Sequence, residues 1–301
     1  MLTIRMFEEK VAALHAAAEI VGSTHLCAGQ EAVPSGAVAA LRQGDAVFAT
    51  YRGHGWAIAL GVPLEAMFGE LMGRAGGICG GRGGSAYLTA PRYGLYGQNA
   101  IVGAQTALAL GPALAARFDN SDRISVASLG EGAMNQGATT ESLNFAAAMK
   151  LPVIFICENN GYSELTRTVN MVGSMAFCAR AASLGLAAVE VDGNDPLEVE
   201  AAVVDAAAKA RRGEGPTFIE ARTARLVGHY IGDAQSYRLP DEIEHIRNDE
   251  PLERLKRQAG RDSGELIAIE AETQAAIDLA LRAAREQPYP EASAATSHVY
   301  A

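Results

Sequence analysis

Two short apolar runs, each ending on a polar or glycine-rich tip and separated by one helical stretch, constrain this chain more than any other feature. Residues 124–129 read as a buried strand that runs into Gly130-Glu131-Gly132, and residues 153–157 as a second that runs into Glu158-Asn159-Asn160. Residues 135–150 between them read as a helix. Runs this short are the length of strands rather than of buried helices. The alternation continues with strands at 187–191 and 217–221 around a helix at 196–212, and an earlier strand at 46–50 precedes it. Strands interleaved with helices bury their apolar faces together as a mostly parallel sheet covered on both sides. The expected fold class is therefore α/β, a doubly wound, mostly parallel sheet flanked by helices.

The flanking segments give the rest of the organisation. Residues 2–20 read as a helix, 22–30 as a polar, glycine-containing passage and 33–42 as a helix of small residues. Residues 73–84 hold seven glycines in twelve positions, which cannot pack as regular structure and should wrap something or approach a ligand with bare backbone. Residues 100–116 read as a helix apolar nearly all round, deep in a core or at a subunit interface. A polar loop spans 222–240, and helices are expected at 241–259 and 263–286. There is no internal repeat, so one domain is expected over 1–301 with a C-terminal helical extension from about 241.

Composition narrows the classes of partner. With 49% hydrophobic residues a sizeable core can form, and a net charge of −10 argues against a nucleic-acid surface or an anionic membrane. The acidic balance suits a basic partner or simply a solvated surface. Cys27, Cys79, Cys157 and Cys178 are widely spaced with no C-x-x-C pair, which points to a reducing cytoplasm rather than to a disulfide framework or zinc. Arg5, Glu8, Glu9, Lys10 and Glu19 rule out a secretory apolar core in the first residues, and the most apolar stretch is too short and too interrupted to span a bilayer.

The two strand tips are the sharpest candidates for chemistry. A right-handed β-α-β crossover brings the carboxyl ends of both strands to one edge of the sheet, where open α/β folds bind ligands. There Glu131 and Asn160 offer a carboxylate and an amide carbonyl, the oxygen donors a hard cation takes. Gly130 and Gly132 let backbone approach a diphosphate at a helix N-terminus. The alternative is structural, since glycine pairs and Asn-Asn are also common in turns. Arg52, after the strand at 46–50, suits a two-pronged phosphate contact or else a surface ion pair. His54 is either a proton carrier or a loop histidine bonded to backbone. His229 lies four residues after Arg225 in the polar loop, as a proton-handling group or an exposed side chain.

Gly130-Glu131-Gly132 through to Asn159-Asn160 resembles the thiamine diphosphate motif, which begins Gly-Asp-Gly and ends Asn-Asn. Residues 25–32, Tyr51-Arg52-Gly53-His54-Gly55, the run ending Arg82-Gly83-Gly84-Ser85, residues 101–105 and residues 156–162 are similar to segments of the alpha subunits of pyruvate, branched-chain 2-oxo acid and acetoin dehydrogenases. The resemblance covers residues 1–250 or so, in order. It implies a thiamine diphosphate-binding fold of the diphosphate-binding type. It assigns Mg2+ to Glu131, Asn160 and the carbonyl of Tyr162, and the diphosphate to Tyr51, Arg52 and Arg225, with His25 nearby and Gly130, Gly132 and Ala133 contributing backbone. Val102 would contact the aminopyrimidine through its backbone, and His229 would face the reacting centre. The implied activity is oxidative decarboxylation of a 2-oxo acid, or acetoin cleavage, with acyl transfer to a lipoyl group.

The chain departs from that pattern in places. Glu131 stands where the family usually has Asp, one methylene longer in a site that demands near-octahedral geometry. Tyr230 follows His229 where mammalian relatives carry a phosphorylated serine, so that regulation is not expected. Glu164 would repel an anionic substrate if it points into the site, or it faces solvent. The carboxylate that activates the cofactor's pyrimidine is expected from a beta subunit in an α2β2 assembly, with a lipoyl-bearing acyltransferase as acceptor. A non-oxidative carboligase or transketolase-like subunit, and a non-catalytic scaffold subunit, are the other readings.

Overall fold

The computed structural model describes residues 1–259 and 264–297. Its strands are β1 (Ala46–Thr50), β2 (Leu95–Asn99), β3 (Ser125–Gly130), β4 (Val153–Asn159), β5 (Tyr162–Ser163), β6 (Thr166–Arg167), β7 (Ala187–Asp192) and β8 (Thr217–Arg222). Six of them form one sheet in the order β2-β1-β3-β4-β8-β7, and every pairing in it is parallel. The remaining two, β5 and β6, make a small antiparallel hairpin. The expected α/β parallel sheet is thus present. The chain moves from β1 to one side for β2 and to the other for β3, which opens a crevice at their carboxyl ends.

Side chains alternate across this sheet with period two. Val47, Val126, Ile154, Ile156 and Ile219 point to one face, where they pack with residues of helices α1 (Leu2–Ala16), α2 (Ala32–Ala39), α3 (His54–Ala59) and α4 (Leu64–Leu71). Phe48, Ala127, Leu129, Phe155 and Phe218 point to the other, against α5 (Ala104–Phe118), α6 (Gly137–Ala148) and α7 (Phe177–Ser183). Helix α8 (Pro196–Arg211) joins the first face through Val199 and Val203, and is capped by the Asp195 carboxylate, which accepts the Leu197 and Glu198 N–H groups. Because both faces are covered, the central strands are nearly continuous apolar runs, which is what made them readable in the sequence.

Four expectations are corrected. The helix expected at 135–150 begins at Gly137, because residues 131–135 form a tight 3-10 turn straight off β3. The helix expected at 241–259 is two, α9 (Pro240–Asp249) and α10 (Pro251–Ala259). Proline forces the residue before it out of the α region, and Glu250 is extended at ψ 156°. The first helix stops at Ala16, short of residue 20. Helix α5 is not deep in the core: Ala109, Ala113 and Ala116 face it while Leu108 and Phe118 are exposed in the single chain, which excludes the first of its two expected settings and not the subunit interface. The last helix, α11, spans Gly264–Glu286, and its expected first residue, Ser263, lies outside the described residues.

The glycine-rich segment wraps a carboxylate. Glu70, at the end of α4 and only 1% exposed, accepts the N–H groups of Cys79 (2.7 Å), Gly81 (2.8 Å), Gly83 (2.6 Å) and Gly84 (3.1 Å). Gly77 lies so close beneath it that an added Cβ would come within 2.5 Å of the Glu70 carboxylate. The loop therefore folds around an internal carboxylate, and it ends at Ala86 and Tyr87, where it forms one wall of the cavity at the carboxyl edge of the sheet. Glu70→Ala strips buried donors of their acceptor at about 1–3 kcal/mol each before relaxation. We expect destabilisation on the order of 3 kcal/mol in urea denaturation, with faster amide exchange confined to residues 79–84. Unchanged stability and exchange would show that the loop does not depend on this carboxylate.

Candidate active site

A cavity of about 480 Å³ opens at the carboxyl ends of β1, β3 and β4. Each strand delivers its side chains in the residues just past its last ladder bond: Tyr51 and Arg52 after β1, Glu131, Gly132 and Ala133 after β3, Asn160 and Tyr162 after β4. Gly130, His25, Val102, Arg225 and His229 line the same space. These twelve residues, singled out from the sequence, come together in one place.

Glu131 is fully buried. Its Oε1 accepts from the Thr168 hydroxyl at 2.9 Å and its Oε2 from the Asn160 N–H at 3.4 Å. Burial pushes its carboxyl up to about 7, against the opposing pull of Thr168, Asn160 and Arg225. Thr168, which sequence reasoning missed, steadies the longer side chain that stands in place of aspartate. Gly132 admits no side chain, since an added Cβ would lie 2.3 Å from the Ser163 hydroxyl. Asn160 Oδ1 accepts the Tyr162 N–H at 3.1 Å in a turn that aims the segment at the cavity.

The basic side of the cavity is held by backbone. Arg52 is buried and donates to the carbonyls of Leu26 and His229, the latter at 2.9 Å. Arg225 donates to the Glu164 carbonyl and to His229 Nδ1, both at 3.1 Å, and its buried Nε has no partner. A guanidinium only donates, so His229 Nδ1 accepts and its proton sits on Nε2. The loop at 222–240 carries its own framework. The Asp233 carboxylate accepts from the His229 N–H (2.6 Å), the Tyr237 hydroxyl (2.7 Å) and the Gln235 N–H (2.8 Å), and buried Arg238 donates to the carbonyls of Arg225 and Val227. Nothing in the local sequence marked Asp233 or Arg238, because most of their partners are backbone atoms of the same loop.

Burial and the neighbouring arginines lower the imidazoles, His25 to about 3 and His229 to about 4. Their rings lie 4.9 Å apart, and buried His25 Nδ1 is also without a partner. Arg225 falls to about 10, chiefly through burial and then through Arg52. The cavity thus pairs neutral imidazoles with two crowded cations and two buried acids, Glu131 and Glu158, a setting for an anionic ligand bound together with a hard cation.

His54 is not part of it. Helix α3 begins at this residue and turns the side chain into the core, where Nδ1 donates to Glu8 (2.9 Å) and Nε2 meets the Ser85 hydroxyl (2.9 Å). It is fully buried and does not line the cavity, so the proton-carrier reading is withdrawn; its bonds are to side chains rather than to backbone. Among the described residues no three His, Cys, Asp or Glu side chains are grouped to hold a metal. A cation here would depend on the mixed set of one carboxylate, one amide and backbone.

The family model of the dehydrogenase E1 component matches residues 1–293. The chain belongs to that family. It is 41% identical over 303 residues to the alpha subunit of acetoin:2,6-dichlorophenolindophenol oxidoreductase of Bacillus subtilis, covering all of this chain and 91% of that one. With the subunit of the same name from Cupriavidus necator the identity is 39% over 305 residues, covering all of this chain and 92% of the other. With the pyruvate dehydrogenase E1 alpha subunit of Rhizobium meliloti it is 40% over 299 residues, covering 97% and 86%.

The two lowered imidazoles make a pH prediction for this E1 chain. A histidine whose folded pKa lies below its unfolded value of 6.5 takes its proton more readily unfolded, so its contribution to stability is present above about 6.5 and is lost as pH falls toward 4. The thermal midpoint of His25→Gln/His229→Gln should therefore fall less steeply between pH 7 and 4.5 than that of the parent. Parallel curves would mean that neither imidazole is held neutral by the fold.

Proposed function

We propose that this chain is the cofactor-binding alpha subunit of a thiamine diphosphate-dependent dehydrogenase that oxidatively decarboxylates a 2-oxo acid or cleaves acetoin, and passes the acyl group to a lipoyl group. The observation that carries the reading is the convergence of Glu131, Asn160, Tyr162, Arg52 and Arg225 on one cavity at the strand ends. The donor set fits the groups it would hold. Glu131, Asn160 and the Tyr162 carbonyl are oxygen ligands suited to Mg2+. Arg52 and Arg225, with Tyr51, put two guanidinium groups on the cavity wall, forked cations that suit a diphosphate, and Arg225 Nε and His25 Nδ1 are buried there without a partner. Gly130, Gly132 and Ala133 bring backbone to the diphosphate, and Val102 brings backbone to the aminopyrimidine.

The cofactor, when bound, supplies the carbon nucleophile and electron sink for breaking a carbon–carbon bond next to a carbonyl. This chain's share is to bind and orient it and to manage a proton. His229, with Nδ1 fixed by Arg225 and its N–H by Asp233, presents Nε2–H to the reacting centre and stays neutral near pH 7. The other half of the cofactor site, including the activating glutamate, comes from a beta subunit in an α2β2 assembly, and the acyl acceptor is a lipoyl-bearing acyltransferase. Glu164 lines the cavity, but it is exposed and meets Arg225 through its backbone carbonyl, so it gives no ground for choosing between acetoin and a 2-oxo acid. We read residues 1–301 as one diphosphate-binding domain extended by the helices from Pro240 onward. The four unpaired cysteines suit a cytoplasmic setting, and among the described residues no helix is long and apolar enough to cross a membrane.

The test is calorimetric titration of thiamine diphosphate into the isolated chain and into the reconstituted complex, with and without Mg2+. Binding should need both the metal and the partner. Glu131→Ala should abolish the metal-dependent part and Glu131→Asp should retain it. Turnover of pyruvate, branched-chain 2-oxo acids and acetoin by the complex then identifies the substrate. Tight, metal-independent binding to the isolated chain would overturn the assignment.

A further inference from the structure

Asn160 reaches the cavity with a side chain whose two ends have nearly the same shape and opposite chemistry. Only Oδ1 can sit beside a cation; a turned amide would present N–H instead. The hydrogen bonds behind it decide which end faces in. Asn160 Nδ2 donates to Gln30 Oε1 at 3.3 Å, and Gln30 Nε2 donates to Glu158 Oε2 at 3.0 Å. The other oxygen of Glu158 accepts from the Trp56 indole N–H at 2.9 Å and from the Ser128 hydroxyl. Glu158, Gln30, Trp56 and Ser128 are all buried, and the bond from Asn160 to Gln30 is part-buried at the cavity wall.

A carboxylate only accepts, which gives the chain of bonds a single direction. Gln30 must turn its NH2 to Glu158, and therefore its carbonyl to Asn160. Asn160 must then turn its NH2 to Gln30, which leaves Oδ1 for the Tyr162 N–H and for the cavity. We propose that Glu158 and Gln30 are positioning residues that fix the amide orientation of Asn160 and thereby set the cation affinity of the site. The proposal rests on the reading of Asn160 as a cation ligand given above. It assigns a task to two buried polar residues that take no other part in the proposed mechanism.

The polarity of the relay can be reversed and restored with near-isosteric changes. In Glu158→Gln the amide oxygen still accepts from Trp56 and Ser128, but an N–H now faces Gln30. Both amides must turn over to keep their bonds, and Asn160 then shows N–H to the cation and to the Tyr162 N–H. The expected result is a loss of about 10- to 100-fold in cation affinity, the usual scale for losing a partner that orients a ligand, with little change in thermal midpoint. Adding Gln30→Glu places an acceptor between two donors, so Asn160 turns back and affinity returns to within a few-fold of the parent. Gln30→Met, which breaks the link and leaves the Trp56 and Ser128 bonds to Glu158 in place, should also weaken the cation.

The measurement is Mn2+ binding by electron paramagnetic resonance in the reconstituted complex with thiamine diphosphate, which reads occupancy without turnover. Parent-like affinity in Glu158→Gln or Gln30→Met overturns the relay. A loss in Glu158→Gln that Gln30→Glu does not repair also overturns it, because reversed polarity would then not be the cause; Gln30→Met, which leaves the charge of Glu158 in place, separates polarity from charge. If the parent complex itself shows no saturable Mn2+ binding with thiamine diphosphate, the functional reading fails instead.

Discussion

In a parallel pair the hydrogen bonds run evenly along both strands, so fixing one residue pair fixes them all. Here β3 and β4 are registered from Ser125 opposite Val153 to Gly130 opposite Glu158. That register leaves Glu131 and Asn160 as neighbours one and two residues beyond, close enough for the Asn160 N–H to meet the Glu131 carboxylate. A slip of one residue would exchange the two faces of the strand, sending Ile154 and Ile156 to the side of α6 and Phe155 to the side of α2. The packing that fixes the core is thus the same packing that fixes the site. The crevice at the β1–β3 switch then supplies Tyr51 and Arg52 from the adjacent strand without any further device.

Around that frame the chain repeatedly uses a buried acid as a template for irregular backbone. Glu70 gathers the glycine loop. Glu8 holds the Cys27 N–H and the His54 ring, Glu31 takes the Gly29 N–H beside Arg5, and Asp45 takes the N–H groups of Arg42 and Ile124 beside Arg211. A charge without partners in such positions would be prohibitive, but each carboxylate is surrounded by donors that themselves need an acceptor. Loops held this way keep a defined shape at the cavity wall even though they contain little regular structure. The two orientation-setting devices in the site have the same logic, with Asp233 behind His229 and Glu158 behind Asn160.

The substitution of glutamate for the usual aspartate at position 131 is absorbed locally. The carboxylate lies wholly buried at the start of a 3-10 turn, with one oxygen held by Thr168 and the other by backbone. The extra methylene is thereby given a fixed direction rather than a freely rotating tip. Ser163 fills the space over Gly132 from the hairpin that also carries Glu164. The hairpin is therefore coupled by contact to both the candidate metal and the candidate substrate regions of the cavity.

The sequence by itself determined the parallel sheet, the place of its ligand-binding edge and twelve residues of the cavity. The sheet and the strand-tip residues Arg52, Glu131 and Asn160 were legible because central strands buried on both faces are written as short apolar runs whose ends must lie together once paired in parallel; His25, Tyr51, Val102, Ala133 and Tyr162 came from the resemblance to the dehydrogenase alpha subunits. It did not determine the edge strand β2 or the helices α3, α4 and α7, which are too short or too weakly patterned to stand out. The break before Pro251 was available from local chemistry, whereas the one-sided exposure of α5 depended on what packs against it. Tertiary structure alone decided that His54 belongs to the core, that Glu70 is what the glycines wrap, and that Gln30 and Glu158 stand behind Asn160. Glu8 and His54 are 46 residues apart and Gln30 and Asn160 130, and even the 9 to 14 residues between Glu70 and its glycine loop leave no periodic trace, because a hydrogen bond to a side chain has no period.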